Sequence, residues 1–538
     1  MQAKVERSYK LAVAKDILLC TLNSTYQHSS FGLRYLFANL EELQDRAEIL
    51  EFTISQNCKD IAEKILQKNP KIIGFGVYIW NTQETLRLLE ILKSVAPEIK
   101  IILGGPEVSH ETESQAIVQI ADYVIKGEAD FSFLLLCRTL ISEQVPNTKI
   151  ISTELPDIKK IKSPYPFYSD QDIANRIIYV EASRGCPYKC EYCLSSLDKS
   201  VRNFELTHFL QDLDLLIRRG ARQFKFVDRT FNLSPTISCQ ILKFFLEKID
   251  LGLFLHFEMV PDRLPEELKL LIEKFPAGSL QFEIGIQTFN PQVAFNVSRR
   301  QDYGKIRQNF LYLKEKTQVH THADLIIGLP GETFESFAQG FNQLVVLSPH
   351  EIQVGILKRL KGFPLTRHDQ NFQMRFESHP PYQILQNKDL SFLDLQTLNR
   401  FAKTWDLVAN SGNFPRLMSL WKTHIHDSGG SYFDEILSLS QFLGTRHMQN
   451  YGISLLNLLE SLWLYFQKHP MSFVEALAQT LALDYAYQKR RDLPHFLKIN
   501  LSVDIIEKIK SSNLPDKKMN LQFKTPERQK KHLDRAQL

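Results

Sequence analysis

The sequence has few cysteines, little net charge and no long apolar run. Seven cysteines in 538 residues, three of them on one short loop, do not form a disulfide framework. The apolar runs are too short or too interrupted to span a bilayer, and the amino terminus lacks a signal-peptide core. A net charge of +4 neither requires nor excludes nucleic acid. We therefore expect a soluble cytoplasmic protein, with no membrane partner, that is long enough for about three domains.

The three clustered cysteines are the strongest chemical signal. Cys186, Cys190 and Cys193 lie within eight residues, directly after a predicted strand at 177–183. Thiolates suit iron–sulfur clusters and zinc, and three of them can hold three irons of a [4Fe–4S] cluster while the fourth iron stays open to a substrate or cofactor. A structural zinc site would need a fourth protein ligand and usually a second pair of cysteines. The other four cysteines are scattered, so the pattern favours the cluster.

The amino-terminal region, residues 1–150, alternates apolar runs with helical patterns. Helices are predicted between strands at 17–20, 48–54, 71–77, 100–103 and 123–125. This alternation indicates βαβ units and a parallel sheet covered on both faces, which is a flavodoxin-like, doubly wound α/β domain. Ligands of such sheets lie beyond the carboxyl ends of the strands. The turns at those ends contain Gly104, Gly105, Pro106 and Glu107, then Gly127 and Glu128, and, after the first strand, His28.

The middle region contains six further strand–helix repeats. Residues 151–170 are rich in proline and polar residues and are interpreted as a linker. Strands follow at 177–183, 223–228, 252–259, 280–286, 321–327 and 351–357. Six parallel strands are too few for an eight-stranded barrel, so residues 171–368 are predicted to form a partial (β/α)6 barrel.

The carboxyl-terminal region, residues 369–538, is rich in helical patterns and is predicted to be mostly α-helical. Its aromatic residues are interpreted as core, and these are Trp405, Trp421, Trp463 and Tyr465. The chain closes on a short basic tail. Such tails are usually disordered or form a solvated helix face, and a nucleic-acid partner is not expected.

The CxxxCxxC loop after the first barrel strand resembles the signature of the radical S-adenosylmethionine (SAM) superfamily. Together with the glycine turns, it resembles the subgroup that carries a cobalamin-binding domain and, in this case, an uncharacterised helical extension. The resemblance implies a [4Fe–4S] cluster, SAM and cobalamin as cofactors. The corrinoid pocket would be lined by the turns of Gly104, Gly105, Pro106 and Glu107, of Gly127 and Glu128, and of His28. No Asp-x-His-x-x-Gly element is present, so no histidine ligand to cobalt is expected.

The same resemblance implies which barrel residues surround SAM. Asp228 and Thr230 occupy the turn that meets the methionyl amino group, although Val-Asp-Arg-Thr stands where many members have Gly-Gly-Glu. Four polar positions align with residues used around SAM, and these are Glu258, Gln287, Arg299 and Asp324. Tyr192 and Gly328 match positions near the adenine. An ion pair with a nearby arginine is the structural alternative for Glu258 and Glu283.

The implied chemistry is radical methylation. The reduced cluster cleaves SAM, the resulting 5′-deoxyadenosyl radical takes hydrogen from a substrate carbon, and methylcobalamin supplies the methyl group. The implied partners are a small-molecule or peptide substrate and an electron donor such as a flavodoxin or ferredoxin. A cobalamin-assisted rearrangement or ring contraction is an alternative, as is a non-catalytic iron–sulfur sensor module. A methylthiotransferase would need an auxiliary cluster, for which the remaining cysteines lack the spacing.

Overall fold

A fully buried strand organises the amino-terminal sheet. The computed structural model describes residues 15–447, 452–467, 474–488, 492–511 and 525–533. Strand β1 (Ile17–Asn23) is buried at every position, because it lies inside a sheet covered on both faces. The remaining elements of this region are α1 (Phe31–Ala38), β2 (Ala47–Thr53), α2 (Cys58–Leu66), β3 (Ile72–Gly76), α3 (Thr82–Val95), β4 (Lys100–Gly104), α4 (Ala116–Ile120), β5 (Tyr123–Lys126), α5 (Ser132–Ile141) and β6 (Ile150–Ser152).

The strand order of this sheet is β2-β1-β3-β4-β5-β6, and all pairs are parallel. This is the flavodoxin-like order with one strand added at the edge, so the predicted fold class is confirmed. Separate apolar clusters cover the two faces. The added strand β6 includes residues that sequence analysis placed in the linker.

Six parallel strands form the second sheet, in the order β14-β13-β12-β11-β10-β7, which confirms the predicted partial barrel. Its elements are α6 (Asp170–Asn175), β7 (Ile178–Val180), β8 (Ser183–Arg184), β9 (Arg202–Asn203), α7 (Leu206–Arg218), β10 (Gln223–Phe226), α8 (Pro235–Leu246), β11 (Phe254–Met259), α9 (Glu266–Ile272), β12 (Leu280–Gln287), α10 (Pro291–Asn296), α11 (Tyr303–Lys316), β13 (His320–Ile327), α12 (Phe334–Leu347) and β14 (Glu351–Ile356). The first predicted strand is interrupted, since β7 ends at Val180 and the short β8 pairs with β9.

The carboxyl-terminal region is helical, as predicted, apart from a small hairpin. It contains β15 (Arg375–Phe376), β16 (Ile384–Gln386), α13 (Phe392–Trp405), α14 (Pro415–Asp427), α15 (Tyr432–Arg446), α16 (Leu455–Gln467), α17 (Val474–Tyr487), α18 (His495–Lys498), α19 (Val503–Ser511) and α20 (Glu527–Leu533). The four aromatic residues predicted as core are buried. None of the helices in the described ranges is long and apolar enough to cross a membrane.

The helical region shares one apolar core with the barrel. Phe341 of α12 packs edge-on against Phe401 and Trp405 of α13, with ring centroids 4.8 and 5.0 Å apart. A π-helical turn, Asp406–Asn410, follows α13. There the Asn410 amide accepts a hydrogen bond from the Ile352 N–H at 3.0 Å and donates one to the Ile352 carbonyl at 2.8 Å. The side chain thus pairs with the outer edge of β14.

The basic tail departs from the expected solvated or disordered segment. Its α20 packs on the barrel: Arg528 pairs with Glu351 at the start of β14 at 2.6 Å, and His532 is 1% exposed. The reason is that Glu351 is buried and acquires a cation from the tail. Helix α20 therefore lies at the amino-terminal end of the barrel strands.

Candidate functional site: two cavities lined from the cysteine loop and its approach

The cysteine loop lies at the mouth of the partial barrel. Cys186, Cys190 and Cys193 line one cavity of about 160 Å³. Gly185, just before the first cysteine, has φ +91°, and a Cβ there would lie 2.0 Å from the Ser200 carbonyl oxygen, so only glycine fits. The loop is further fixed by a hydrogen bond from the Cys186 N–H to the Asp198 carbonyl at 2.9 Å.

The three thiols carry the donor chemistry of an iron–sulfur cluster. Thiolates are soft ligands, and three of them can hold three irons of a four-iron cluster. Burial raises the pKa of the Cys186 thiol, while the cation of Arg229 acts in the opposite direction. The donor set therefore fits the predicted [4Fe–4S] cluster.

Arg299 places a buried cation beside the loop. Its guanidinium donates to the Tyr192 hydroxyl at 2.9 Å, to the Cys190 Sγ at 3.6 Å and to the Gly285 carbonyl. Burial opposes its charge, but Tyr192 and Cys190 hold the pKa of Arg299 above its ordinary value. A permanent positive charge beside a thiolate ligand offsets the negative charge that a cluster brings.

The polar residues predicted around SAM mostly line the same cavity. They are Tyr192, Thr230, Glu258, Gln287, Arg299 and Asp324. Glu258 also pairs with Arg229 at 2.8 Å, the ion pair that sequence analysis left as its structural alternative. Gln287 has φ +70° and sits at an irregularity in the pairing of β12 with β13. Such bulges re-aim side chains next to functional sites.

Asp324 and Glu283 are neighbouring carboxyls whose pKa values are shifted in opposite directions. Burial, with the charges of Glu283 and Glu258, raises the pKa of Asp324 well above its usual value. Burial also opposes ionisation of Glu283, but hydrogen bonding to His256 and the charge of Lys225 hold its pKa below the usual value. Of the two, Asp324 therefore favours the protonated form, which can donate a hydrogen bond, and Glu283 favours the ionised form, which can accept one.

Two residues predicted near SAM lie outside this cavity. Asp228 accepts hydrogen bonds from the Ala182 N–H at 3.0 Å and the Ser183 hydroxyl at 2.6 Å, and burial raises its pKa to about 7. It therefore holds the backbone that leads into the cysteine loop. Gly328, with φ +92°, faces Ile384, whose Cγ2 atom would lie 2.7 Å from a Cβ.

A second cavity, of about 210 Å³, opens at the carboxyl end of the first sheet. Glycine backbone forms much of its wall, at Gly74, Gly76, Gly104, Gly105 and Gly127. A Cβ at Gly105 would lie 2.5 Å from the Val77 carbonyl oxygen, and Gly105 and Gly127 have φ of +105° and +90°. Glycine walls allow a flat ligand to approach the backbone closely, so this wall fits the predicted cobalamin.

Of the remaining residues predicted for the cobalamin pocket, one lines this cavity and three lie outside it. Glu128 lines this cavity, but Pro106, Glu107 and His28 do not. Glu107 instead pairs with Lys361 at 3.0 Å. The loop of His28 turns towards the barrel, where its Nδ1 lies 2.5 Å from the Tyr179 hydroxyl. No histidine stands among the residues lining this cavity in the described part of the chain.

Family models match three consecutive parts of the chain. A B12-binding domain model matches residues 17–135, and the radical SAM superfamily model matches residues 180–344. The chain is a radical SAM protein with a B12-binding domain. A third model, described as a protein of unknown function (DUF4080), matches residues 370–537. The cofactors implied by the first two models are cobalamin, SAM and a [4Fe–4S] cluster, as predicted.

Known proteins resemble this radical SAM protein at low identity. The cobalamin-dependent radical SAM methyltransferase TokK of Streptomyces tokunonensis is 22% identical over 82% of this chain and 68% of its own length. The fold is similar to that of the cobalamin-dependent SAM radical enzyme OxsB with aqua-cobalamin and SAM bound (TM-score 0.56, 12% identity, 98% and 84% of the two chains). It is also similar to the methyltransferase TsrM of Kitasatospora setae with cobalamin and a [4Fe–4S] cluster bound (TM-score 0.56, 15%, 68% and 78%).

Two charged residues of the radical SAM loop were missed by sequence analysis. Arg184 leaves the loop towards the B12-binding domain, and Glu191 lies buried behind Cys190. A charged residue between two cluster cysteines was a usable signal, because a buried carboxylate needs partners. Those partners, Arg367 and His368, lie more than 170 residues away in sequence, beyond any local pattern.

Proposed function

We propose that this protein transfers a methyl group from methylcobalamin to an unactivated carbon of a small-molecule or peptide substrate. The observation that carries the proposal is that one short segment contributes to the walls of both cavities. Arg184 lines the glycine-walled cavity, and Cys186, two residues later, lines the cysteine cavity. A substrate held between two such cavities would face both cofactors. The likeness to TokK, a cobalamin-dependent radical SAM methyltransferase, supports the same assignment.

When bound, the cofactors supply an electron, a 5′-deoxyadenosyl radical and a methyl group, which are chemistries that amino-acid side chains do not provide. The chain supplies thiolates at Cys186, Cys190 and Cys193 to hold three irons. Arg299 places a cation beside those thiolates. The glycine turn at Gly104 and Gly105 lets a corrinoid approach the backbone.

The polar cavity wall is proposed to orient SAM. An ionised Glu283 or Glu258 can accept from an ammonium or from ribose hydroxyls, and a protonated Asp324 can donate to a carboxylate or an adenine nitrogen. Thr230, Gln287 and Tyr192 add neutral contacts around the same space. Enclosure by these groups excludes water from the reacting centre. The electron is proposed to come from a flavodoxin or ferredoxin.

Reconstitution under anaerobic conditions tests the proposal. The full chain, purified with cobalamin supplied, should contain about four irons and about one cobalt, and a strong reductant should release 5′-deoxyadenosine from SAM. Cys190→Ala should lose the iron and the SAM cleavage but still bind cobalamin when it is supplied in excess. Cobalt near zero in the wild-type protein would refute methyl transfer through cobalamin. A full cluster without 5′-deoxyadenosine would refute the enzyme itself.

A further inference from the structure

One arginine joins the cysteine loop to the B12-binding domain. The Arg184 Nη1 atom lies 2.7 Å from Glu128 and 3.0 Å from Asp130, which follow β5, and its Nε lies 2.8 Å from Glu181. Its guanidinium also stacks on the ring of Tyr35 in α1, 4.5 Å from the centroid. Three of these partners, Glu128, Asp130 and Tyr35, line the glycine-walled cavity.

The backbone between Arg184 and the first cluster cysteine has little freedom. Arg184 pairs with Arg202 across β8 and β9, and the following Gly185 is packed against the Ser200 carbonyl. The next residue, Cys186, is held through its N–H by the Asp198 carbonyl. A displacement of the Arg184 side chain is therefore transmitted to Cys186 rather than absorbed by the intervening residue.

The ion pairs of Arg184 with Glu128, Asp130 and Glu181, which we call the Arg184 bridge, are largely buried. Asp130 is 4% exposed and Glu181 8%, so neither carboxylate can exchange its arginine for water. Burial opposes the charge of Arg184, but Glu181 and Asp130 hold its pKa above the ordinary value. The second cation, Arg202, contacts Glu128 and also Asp198, so the network includes the loop that binds the Cys186 N–H.

We infer that Arg184 is a positioning residue that couples occupancy of the glycine-walled cavity to the geometry of the cysteine loop. A ligand that contacts the turn of Glu128 and Asp130 also fixes Arg184, and through it Cys186. Cobalamin and the iron–sulfur cluster then bind cooperatively, each raising the affinity for the other by the same factor. This inference rests on the proposed function for the identity of the two cofactors.

The test measures cobalamin affinity with and without the cluster. The full chain is titrated with hydroxocobalamin by equilibrium dialysis, both after cluster reconstitution and after iron chelation. We expect binding about tenfold tighter in the presence of the cluster. The triple variant Arg184→Met/Asp130→Asn/Glu181→Gln removes these ion pairs without leaving a buried carboxylate unpaired, because Glu128 keeps its contact with Arg202. Its ratio of the two affinities should fall to about one. Arg184→Lys should give an intermediate ratio.

A matched control is available in the same structure. Arg176, just before β7, pairs with Glu51 of β2 at 3.1 Å and stacks on Tyr26 at 4.6 Å. This pair is also buried and joins the same two sheets, but it lines neither cavity. The variant Arg176→Met/Glu51→Gln should therefore keep the tenfold ratio.

The outcomes separate this inference from the proposed function. If the wild-type chain binds both cofactors with a ratio of one, the coupling is refuted and the proposed function stands. A ratio that persists in the triple variant, or is lost equally in the Arg176 variant, refutes the role of Arg184. Absence of cobalamin or iron from the wild-type protein refutes both proposals. If the triple variant fails to fold, Arg184→Lys is compared with the wild type by the change that cobalamin causes in the paramagnetic resonance spectrum of the reduced cluster. A smaller change in Arg184→Lys supports the role of Arg184, and an equal change refutes it.

Discussion

The guanidinium of Arg367 donates two hydrogen bonds to the carboxylate of Glu191, the residue after Cys190, at 2.7 and 2.5 Å. His368 lies 3.0 Å from the same carboxylate, and the Ser298 hydroxyl donates to it at 2.5 Å. Glu191 thus ties the cysteine loop to the turn after β14 and to the turn before α11. The cluster loop is held on one side by Arg184 and on the other by Glu191.

Glu191→Gln should destabilise the protein and impair cluster assembly. The neutral amide loses the charge that Arg367 and His368 contact, and it cannot accept from all of its present donors. We expect the free energy of unfolding to fall by about 2 kcal/mol, since Arg367 itself is more than half exposed. Urea denaturation and iron content measure both effects. Glu41→Gln, in the exposed pair with Arg138, should leave the free energy of unfolding nearly unchanged, because water screens that pair.

Arg299→Gln should lower the reduction potential of the cluster. Reduction adds negative charge, and the variant removes a buried cation beside Cys190, so reduction becomes less favourable. We expect a shift of about 50 mV to more negative potential, corresponding to about 1 kcal/mol, and slower SAM cleavage. A redox titration followed by paramagnetic resonance measures the shift. Arg307→Gln, on the outer face of α11, should leave the potential unchanged, and an unchanged potential in Arg299→Gln would contradict the assignment.

Gly105→Ala should abolish cobalamin binding and leave the cluster intact. A methyl group at this position meets the Val77 carbonyl oxygen at 2.5 Å and narrows the glycine wall. Dialysis against hydroxocobalamin, with an iron assay in parallel, separates the two cofactors. Gly429→Ala serves as the control, because Gly429 also has positive φ (+65°) but no atom lies within 4 Å of the added methyl. Equal cobalamin binding by the two variants would show that the wall is not the binding surface.

Stability of the helical region should depend on pH through Asp484. This carboxyl is fully buried and accepts from the N–H groups of Arg416 and Leu417 at the start of α14. Burial raises the pKa of Asp484 to about 6. The native state therefore binds its proton more tightly than the unfolded chain, so this contribution to stability is present below about pH 4 and is lost as the pH rises to about 6, by at most about 3 kcal/mol.

Comparison with Asp484→Asn isolates that contribution. Urea denaturation followed by the fluorescence of Trp421 and Trp463 gives the free energy of unfolding of both proteins. The stability of the wild type relative to the variant should fall between pH 4.5 and pH 7. A relative stability that rises over this range would show that the hydrogen bonds to the carboxylate outweigh its burial.

The sequence predicted both sheets and the cysteine cavity because each has a local signal. Buried parallel strands such as β1 are continuous apolar runs, and the three cysteines are consecutive along the chain. The resemblance predicts Asp228 beside SAM, but the alternation of side chains along β10 and the residues after it directs Asp228 away from that cavity. Phe224 and Phe226 face the core, and Asp228 continues their parity, whereas Lys225 and Arg229 face the other side. A resemblance to a family does not show in which direction the Asp228 side chain points.

Contacts between distant segments could not be predicted. The tail appeared solvated because its partner, Glu351, lies far away in sequence and is itself a strand residue. The position of the His28 loop after β1 predicts a place at the cobalamin pocket, but the hydrogen bonds that His28 shares with Asn23 and Tyr179 turn that loop towards the barrel. Such loop directions are set by tertiary contacts, for which a single sequence carries no pattern.

The amide of Asn410 against β14 bears on whether the edge of the barrel sheet is open to strand pairing. A six-stranded open sheet has an outermost strand whose main-chain groups would otherwise be available to a second molecule. Here they are partly satisfied from within the chain by a side chain of the helical region. A shortened protein that stopped after the last barrel strand would lose this protection, and it would be expected to polymerise edge to edge before its chemistry could be assayed.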